Sequence, residues 1–248
     1  MIRWDAVDLL SLDAGNSVIF LDHARLARFA SEAGFVVSAE RLIVTEGEAK
    51  RMTGDPASMV DPPWQERRAP GAAGWGRMVA TMLARANDGR PIAEAALAAL
   101  VSRIWESHVD HNFWSVVPEG FVEAIADLRR TGVKTAIVSN SEGMLDRLFS
   151  KLGIADCFDA VIDSGRVGVE KPDAEIFRIA CERTGTTAAR ALHLGDTYTT
   201  DVVGARNAGI ATALIDPYAH YEGLYPDVER VAGVVSVARA ITAARATP

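Results

Sequence analysis

Short apolar runs recur along the chain at Val7 to Leu12, Thr135 to Val138, Ala160 to Ile162, Ala191 to Leu194, Thr212 to Ile215 and Val231 to Val235. Their lengths predict strands buried on both faces. From the second run onward, most are separated by segments whose apolar residues recur at helical spacing. Phe121, Ile125 and Leu128 form one stripe between Pro118 and Gly132, and Met144, Leu145, Leu148 and Leu152 form another ended by Gly153. Ile176, Phe177 and Ala180 precede Gly185, while Val202, Ala205 and Ala208 precede Gly209. Proline near a helix start and glycine just past its end are the residues that helix termini favour. Strand and helix alternating in this way predict right-handed βαβ units, hence an α/β fold with a doubly wound parallel sheet.

The stretch from about Phe20 to Val117 departs from this rhythm. It shows helical patterns at Leu21 to Ala33, Ala39 to Met52, Trp75 to Ala86 and Ile92 to His108. A loop rich in proline and glycine, Thr53 to Gly74, divides these helices into two pairs. The expected organisation is a core domain of residues 1–19 and 117–248, with a helical domain of residues 20–116 inserted after the first strand.

Composition narrows the function classes. With 49% apolar and 24% charged residues, the 248-residue chain can bury a sizeable core and is not a disordered one. Its 26 Lys plus Arg against 33 Asp plus Glu leave a net charge of −7, which repels a phosphate backbone, so no nucleic-acid partner is expected. No stretch approaches the roughly 18 apolar residues of a membrane span, and Arg3, Asp5 and Asp8 interrupt the segment where a signal peptide would be apolar. No membrane association is expected, and the expected location is cytoplasmic. Cys157 and Cys181, without a CxxC or paired histidines, read as reduced core thiols.

In open parallel sheets, ligands bind at the carboxyl ends of the strands. There the chain carries Asp13-Ala14-Gly15-Asn16-Ser17 after the first run, Ser139-Asn140-Ser141 after the second, Lys171-Pro172 beyond the third, and Gly195-Asp196 with Asp201 after the fourth. Any one of these residues alone is commonly a turn or cap residue. Together, three carboxylates, a hydroxyl and an amine at one sheet edge would crowd like charges unless a divalent cation and an anionic substrate balanced them. The pattern points to magnesium and phosphate.

Leu12-Asp13-Ala14-Gly15-Asn16-Ser17, Ile137-Val138-Ser139-Asn140, Lys171-Pro172-Asp173 and His193-Leu194-Gly195-Asp196 with Asp201, in this order, resemble the four motifs of the haloacid dehalogenase superfamily, mostly magnesium-dependent phosphatases. The resemblance covers nearly the whole chain and implies a Rossmann-like core with an all-helical cap domain. It implies that Asp13 attacks phosphorus to form an aspartyl-phosphate, that Ser139 and Asn140 bind the phosphoryl group, and that Lys171 neutralises charge on both phosphate and Asp13. It implies a Mg²⁺ site formed by Asp13, the backbone carbonyl of Gly15, and Asp196, with Asp201 in support. The implied substrate is a small phosphorylated molecule.

One position departs from the family. Most of its phosphatases carry a second aspartate two residues after the nucleophile, as general acid and then base; here that residue is Gly15. Such a group is worth about 10² to 10⁴ in rate. Three readings follow. In the first, the protein hydrolyses a phosphate ester or acyl phosphate whose leaving group needs little protonation, or a cap residue supplies the proton. In the second, it is phosphonatase-like, with Lys50, the only lysine of the insert, forming a Schiff base, or dehalogenase-like, a branch without need of a magnesium site, against which Asp196 and Asp201 argue. Lys50, within Glu46-Gly47-Glu48-Ala49-Lys50-Arg51-Met52, reads more simply as part of a solvated helix. In the third, it is a catalytically silent phosphate-binding module. Of the remaining residues, His108, His111, Phe113 and Trp114 read as hinge packing. Trp64, Arg67, Arg68, Trp75 and Arg77 flank the long loop, which either grips an anionic substrate, is solvated, or faces a second copy in a homodimer.

Overall fold

Buried on both faces, the apolar runs pair side by side in parallel. The computed structural model describes residues 2–87 and 90–246, and the chain divides into two compact units, Met1–Phe20 with Val116–Pro248, and Leu21–Ser115. In chain order the strands are β1 (Leu9–Leu12), β2 (Phe20–Leu21), β3 (Trp114–Val116), β4 (Lys134–Ser139), β5 (Ala160–Asp163), β6 (Ala191–Gly195), β7 (Ala211–Ile215) and β8 (Glu229–Val231). Six of them form one parallel sheet in the order β5-β4-β1-β6-β7-β8, and β2 pairs with β3 separately. Chain progression along the sheet therefore reverses between β1 and β6, the kind of switch point at which doubly wound sheets hold ligands.

The helices are α1 (His23–Glu32), α2 (Ala39–Met52), α3 (Ala72–Ala86), α4 (Glu94–Asp110), α5 (Phe121–Arg130), α6 (Leu145–Leu152), α7 (Ser164–Val167), α8 (Ala174–Thr184), α9 (Val203–Asn207) and α10 (Val234–Ala246). On one sheet face Leu9, Ala136, Val138, Ile162 and Ala191 pack with Ile176, Phe177, Ala180 and Cys181 of α8 and with Ala205 of α9. Side chains alternate along a strand, so Leu10 and Ile137 are left to the other face. Helices α5 and α10 pack against each other, α5 also on β4 and α10 on β8. The unit Leu21–Ser115 holds α1 to α4, each packed on the next. At its centre Trp64, Trp75 and Trp105 meet with ring centroids 5.0–5.9 Å apart. Cys157 and Cys181 are buried and unpaired with each other.

The run Val231 to Val235 does not form one strand. The strand ends at Val231, and Val234 opens α10, whose buried residues Val234, Val237, Ala238 and Ile241 follow helical spacing. Helical packing of that stripe overrides the local preference of the β-branched residues.

The open end of β1 is tied to α10 by charge. Asp8 accepts from Arg190 Nη2 at 2.9 Å and Arg245 Nη1 at 3.2 Å, and also from Arg190 Nε. Hydrogen bonds from Arg190, against the cost of partial burial and with help from Arg245, hold the Asp8 carboxyl down at about 2. A carboxyl depressed on folding contributes stability that is present above its ordinary value near 4 and lost as pH falls towards 2. Asp8→Asn should therefore lower Tm by no more than about 3 °C at pH 7, since such partly exposed pairs are worth at most ~1 kcal/mol. The difference from the natural protein should vanish between pH 4 and 2 in calorimetric scans; an undiminished difference at pH 2 would refute this account.

Candidate active site

Register alone gathers the motifs. Leu12 lies opposite Ile137 of β4 and Leu194 of β6, so Asp13, Ser139 and Gly195-Asp196 all emerge at the same edge. The Asp13 amide donates to Leu194 O at 2.8 Å, continuing the ladder up to the carboxylate that follows it. The chain then turns tightly: the amides of Val18 and Ile19 donate to Ala14 O, and the left-handed backbone of the turn falls on Asn16, at φ 53°, rather than on Gly15.

Lys171 is buried, only 4% exposed. Its ammonium donates to Asp13 Oδ1 at 2.5 Å and Asp201 Oδ1 at 2.6 Å. Its backbone is held by Asn140, whose Oδ1 accepts from Lys171 N at 2.7 Å and whose Nδ2 donates to Lys171 O at 2.9 Å. Asn140, expected among the substrate-binding groups, thus engages the lysine loop through both ends of its amide. Ser139 is buried at the end of β4, in register with Asp163 of β5. The Asp163 carboxylate accepts from the amides of Gly143, Leu145 and Gly165, which holds the Ser139-Asn140-Ser141 loop to the next one.

Asp201 arrives through a π-helical turn, Tyr198–Val202, that precedes α9. Its Oδ2 accepts from Thr197 N at 2.9 Å, and its side chain packs closely against Gly195. A Cβ on Gly195 would fall 2.2 Å from Asp201 Cγ, so glycine is required there. Gly204 plays the same part for Phe177, whose ring would lie 2.7 Å from an added Cβ.

Asp13, Asp196 and Asp201 are all buried, and one oxygen of each lies within 4.8 Å of the others. Burial pushes Asp13 up; Lys171 pulls it down, and the charges of Asp201 and Asp196 add to the rise. For Asp201 the balance is reversed: burial opposes ionisation, but Lys171 and His193 outweigh it and hold the carboxyl far below its usual range. Burial disfavours the charge on Lys171 as well, yet Asp13 and Asp201 push it upward and keep the ammonium protonated. Three carboxylates face one ammonium, and the charge does not close. An all-oxygen donor set with excess negative charge fits a hard divalent cation.

Of two residues absent from the sequence-based candidates, one meets these carboxylates and the other lies within reach of their charge. His193 lies inside β6 with Nε2 3.3 Å from Asp201 Oδ1. Tyr221 is 1% exposed, and burial first, then Asp196 and Asp201, push its phenol upward. His193 was legible as a polar residue inside an apolar run, whereas nothing local marked Tyr221.

The helical unit corrects one expectation. Lys50 is not solvated but 4% exposed, with Glu46 and His23 buried beside it. His23 Nε2 lies 2.9 Å from Glu46 Oε2, and Lys50 Nζ 3.9 Å from Glu46 Oε1. Glu46 and Lys50 share an inward face of α2 one turn apart, where pairing offsets the cost of burying each. Arg67 of the long loop and Arg77 of α3 both face Asp61, at 2.8 and 3.8 Å. His108 stacks on Trp105 and Phe113, consistent with packing. No helix among the described residues is long and apolar enough to cross a membrane.

Comparison with known proteins gives this geometry a family context. The model of the haloacid dehalogenase-like hydrolases matches residues 49–209. The haloacid dehalogenase-like hydrolase domain-containing protein 3 of Mus musculus is 34% identical over 127 residues, 51% of this chain and 50% of its own. The ribulose-1,5-bisphosphate 5-phosphatase of Halopiger xanaduensis is 32% identical over 132 residues, 53% of this chain and 54% of its own. The chain thus spans about half the length of these relatives. Among solved structures, the HAD-hydrolase YfnB of Bacillus subtilis, bound to magnesium, superposes with a TM-score of 0.64 at 17% identity, covering 95% of this chain and 98% of that one, which is a likeness of fold.

The contact of Asp201 with Gly195 yields a direct test. Gly195→Ala should force the Asp201 carboxyl away from Lys171 and cost about 1–3 kcal/mol, as overpacking in tight sites does. Urea unfolding should show a lower midpoint at unchanged m, and a midpoint equal to that of the natural protein would contradict the described packing.

Proposed function

This chain belongs to the haloacid dehalogenase-like hydrolases, and we propose that within that family it is a magnesium-dependent phosphatase acting on a small organic phosphate with a good leaving group. The observation that carries this reading is the Lys171 ammonium shared by Asp13 and Asp201 at 2.5 and 2.6 Å, with Asp196 close by. A hydrolase without an anionic substrate has little use for a buried cation beside its nucleophile and a carboxylate cluster short of positive charge.

Asp13 Oδ1 is held by Lys171, so attack falls to Oδ2. Oδ2 forms a bond to phosphorus, the bond from phosphorus to the leaving oxygen breaks, and an aspartyl-phosphate results. Water then cleaves this intermediate, returning Asp13 and releasing phosphate. Lys171 neutralises charge that moves onto the phosphoryl oxygens, Ser139 donates its hydroxyl to one of them, and Asn140 keeps Lys171 in place. Asp13, the Gly15 carbonyl and Asp196 would hold Mg²⁺, with Asp201 supporting the site through the groups it orients. When bound, the ion offsets repulsion between carboxylate and phosphate. No carboxyl group stands at Gly15, so this loop leaves the departing oxygen without a proton donor.

A second reading is favoured by one observation, the burial of Lys50 beside Glu46. Once Glu46 takes the ammonium proton, the Lys50 amine is free to form an imine with a carbonyl-bearing phosphonate, with loss of water. Borohydride trapping of such a substrate on Lys50, with no hydrolysis of aryl phosphates, would select this reading over the first.

Two outcomes test the phosphatase. Asp13→Asn should reduce turnover of an activated aryl phosphate to background while the melting curve stays cooperative, and chelator should abolish the activity of the natural protein; activity comparable to the natural protein in either case would remove the assigned chemistry. Without an acid at Gly15, rates should also fall steeply as the leaving group becomes more basic, aryl and acyl phosphates outpacing alkyl ones. Gly15→Asp should raise alkyl phosphate turnover by about tenfold or more, since a general acid is worth about 10² to 10⁴ at best. A flat leaving-group dependence would show that another residue already supplies the proton.

A further inference from the structure

His193 is a titratable side chain that the proposed chemistry does not use. It is fully buried in the middle of β6, in register with Ser11 of β1, two residues before the nucleophile on the same strand face. Its Nδ1 lies 2.9 Å from Ser11 Oγ, and its Nε2 3.3 Å from Asp201 Oδ1. The Phe177 ring meets the imidazole edge to face, with centroids 4.9 Å apart. A serine and a histidine apposed between central strands are costly to bury unless each hydrogen bond is made.

The partners fix where the proton sits. Asp201, ionised against Lys171, can only accept, so Nε2 carries the hydrogen; Nδ1 must then accept, and Ser11 donates its hydroxyl. Burial pushes the imidazole's pKa down, the direction that favours the neutral ring this tautomer requires. The chain of bonds therefore runs one way: Ser11 to His193, His193 to Asp201, with Lys171 donating to the same Asp201 oxygen and to Asp13. Thr197 N holds the other Asp201 oxygen at 2.9 Å. An ammonium on a four-carbon stem is mobile unless its acceptors are fixed.

We propose that His193, oriented by Ser11, is a positioning residue that sets Asp201 and through it aims the Lys171 ammonium at the nucleophile Asp13. The proposal rests on the phosphoryl-transfer reading of this site for its kinetic consequence, but not for its geometry.

Nitrogen NMR of the imidazole in the natural protein decides the geometry without any substrate or metal. The expected spectrum is that of the Nε2–H tautomer, with Ser11→Ala shifting the Nδ1 signal; the Nδ1–H tautomer would overturn the proposal whether or not the protein is a phosphatase. Kinetics then separates positioning from mere packing. The amide of His193→Gln can still donate to Asp201, whereas that of His193→Asn reaches only towards Ser11. Against an aryl phosphate, kcat should fall by less than about tenfold in the glutamine variant and by about 10² in the asparagine variant, with KM little changed, the scale expected when a reacting group is misplaced by about 1 Å. Equal kcat values in the two folded variants would overturn the positioning role. If His193→Asn fails to fold, Ser11→Ala serves in its place, and an unchanged kcat there would overturn the orienting role of Ser11.

Discussion

The Lys171 ammonium, enclosed between Asp13 and Asp201, is the interaction on which the rest of the site depends. Burying an ion costs several kcal/mol unless its partners are close and correctly directed. Each neighbouring feature meets that requirement. Asn140 grips the backbone on either side of the lysine, Gly195 allows Asp201 to fold back, Thr197 secures the far oxygen of Asp201, and the sheet register brings Asp13 into reach. Remove the lysine and two buried carboxylates lose the positive charge they share.

The same pair explains why the acids of the site behave differently. Asp201 has Lys171, His193 and a backbone amide, and is held ionised. Asp13 shares the lysine but faces two other carboxylates from a buried position, so its charge is only partly offset. A cation would complete the balance and leave Asp13 as the group with an uncommitted oxygen. On the proposed phosphatase reading, the loop at Gly15 lacks a proton donor rather than a counter-charge, so leaving-group basicity is the property that tests it.

The helical unit contains its own buried charges. His23, Glu46 and Lys50 form a cluster within α1 and α2, while Arg67 and Arg77 are drawn to Asp61 and the three tryptophans to one another. Aromatic packing accounts for Trp64 and Trp75, which the chain marks beside a long loop, and for His108, which reads as hinge packing. The buried amine has no such apolar explanation, and its inward orientation keeps the imine reading open to the trapping experiment.

The parallel sheet, its helices and the edge where the polar motifs gather were legible in the chain. Strand burial on two faces writes an uninterrupted apolar run, and glycines after the helices mark their ends locally. Asp13, Lys171, Asp196 and Asp201 stood out because each follows such a run. Tertiary packing decided the rest. The C-terminal valines became α10 because a helical stripe found a partner in α5, and Lys50 turned inward because Glu46 and His23 were there to receive it. Asn140 went to the lysine backbone, and Ser11 and His193 met across two strands that are 182 residues apart in sequence. Periodicity is a property of neighbours along the chain, whereas pairing a buried charge or hydrogen bond requires groups from distant segments, and only the folded structure brings those together.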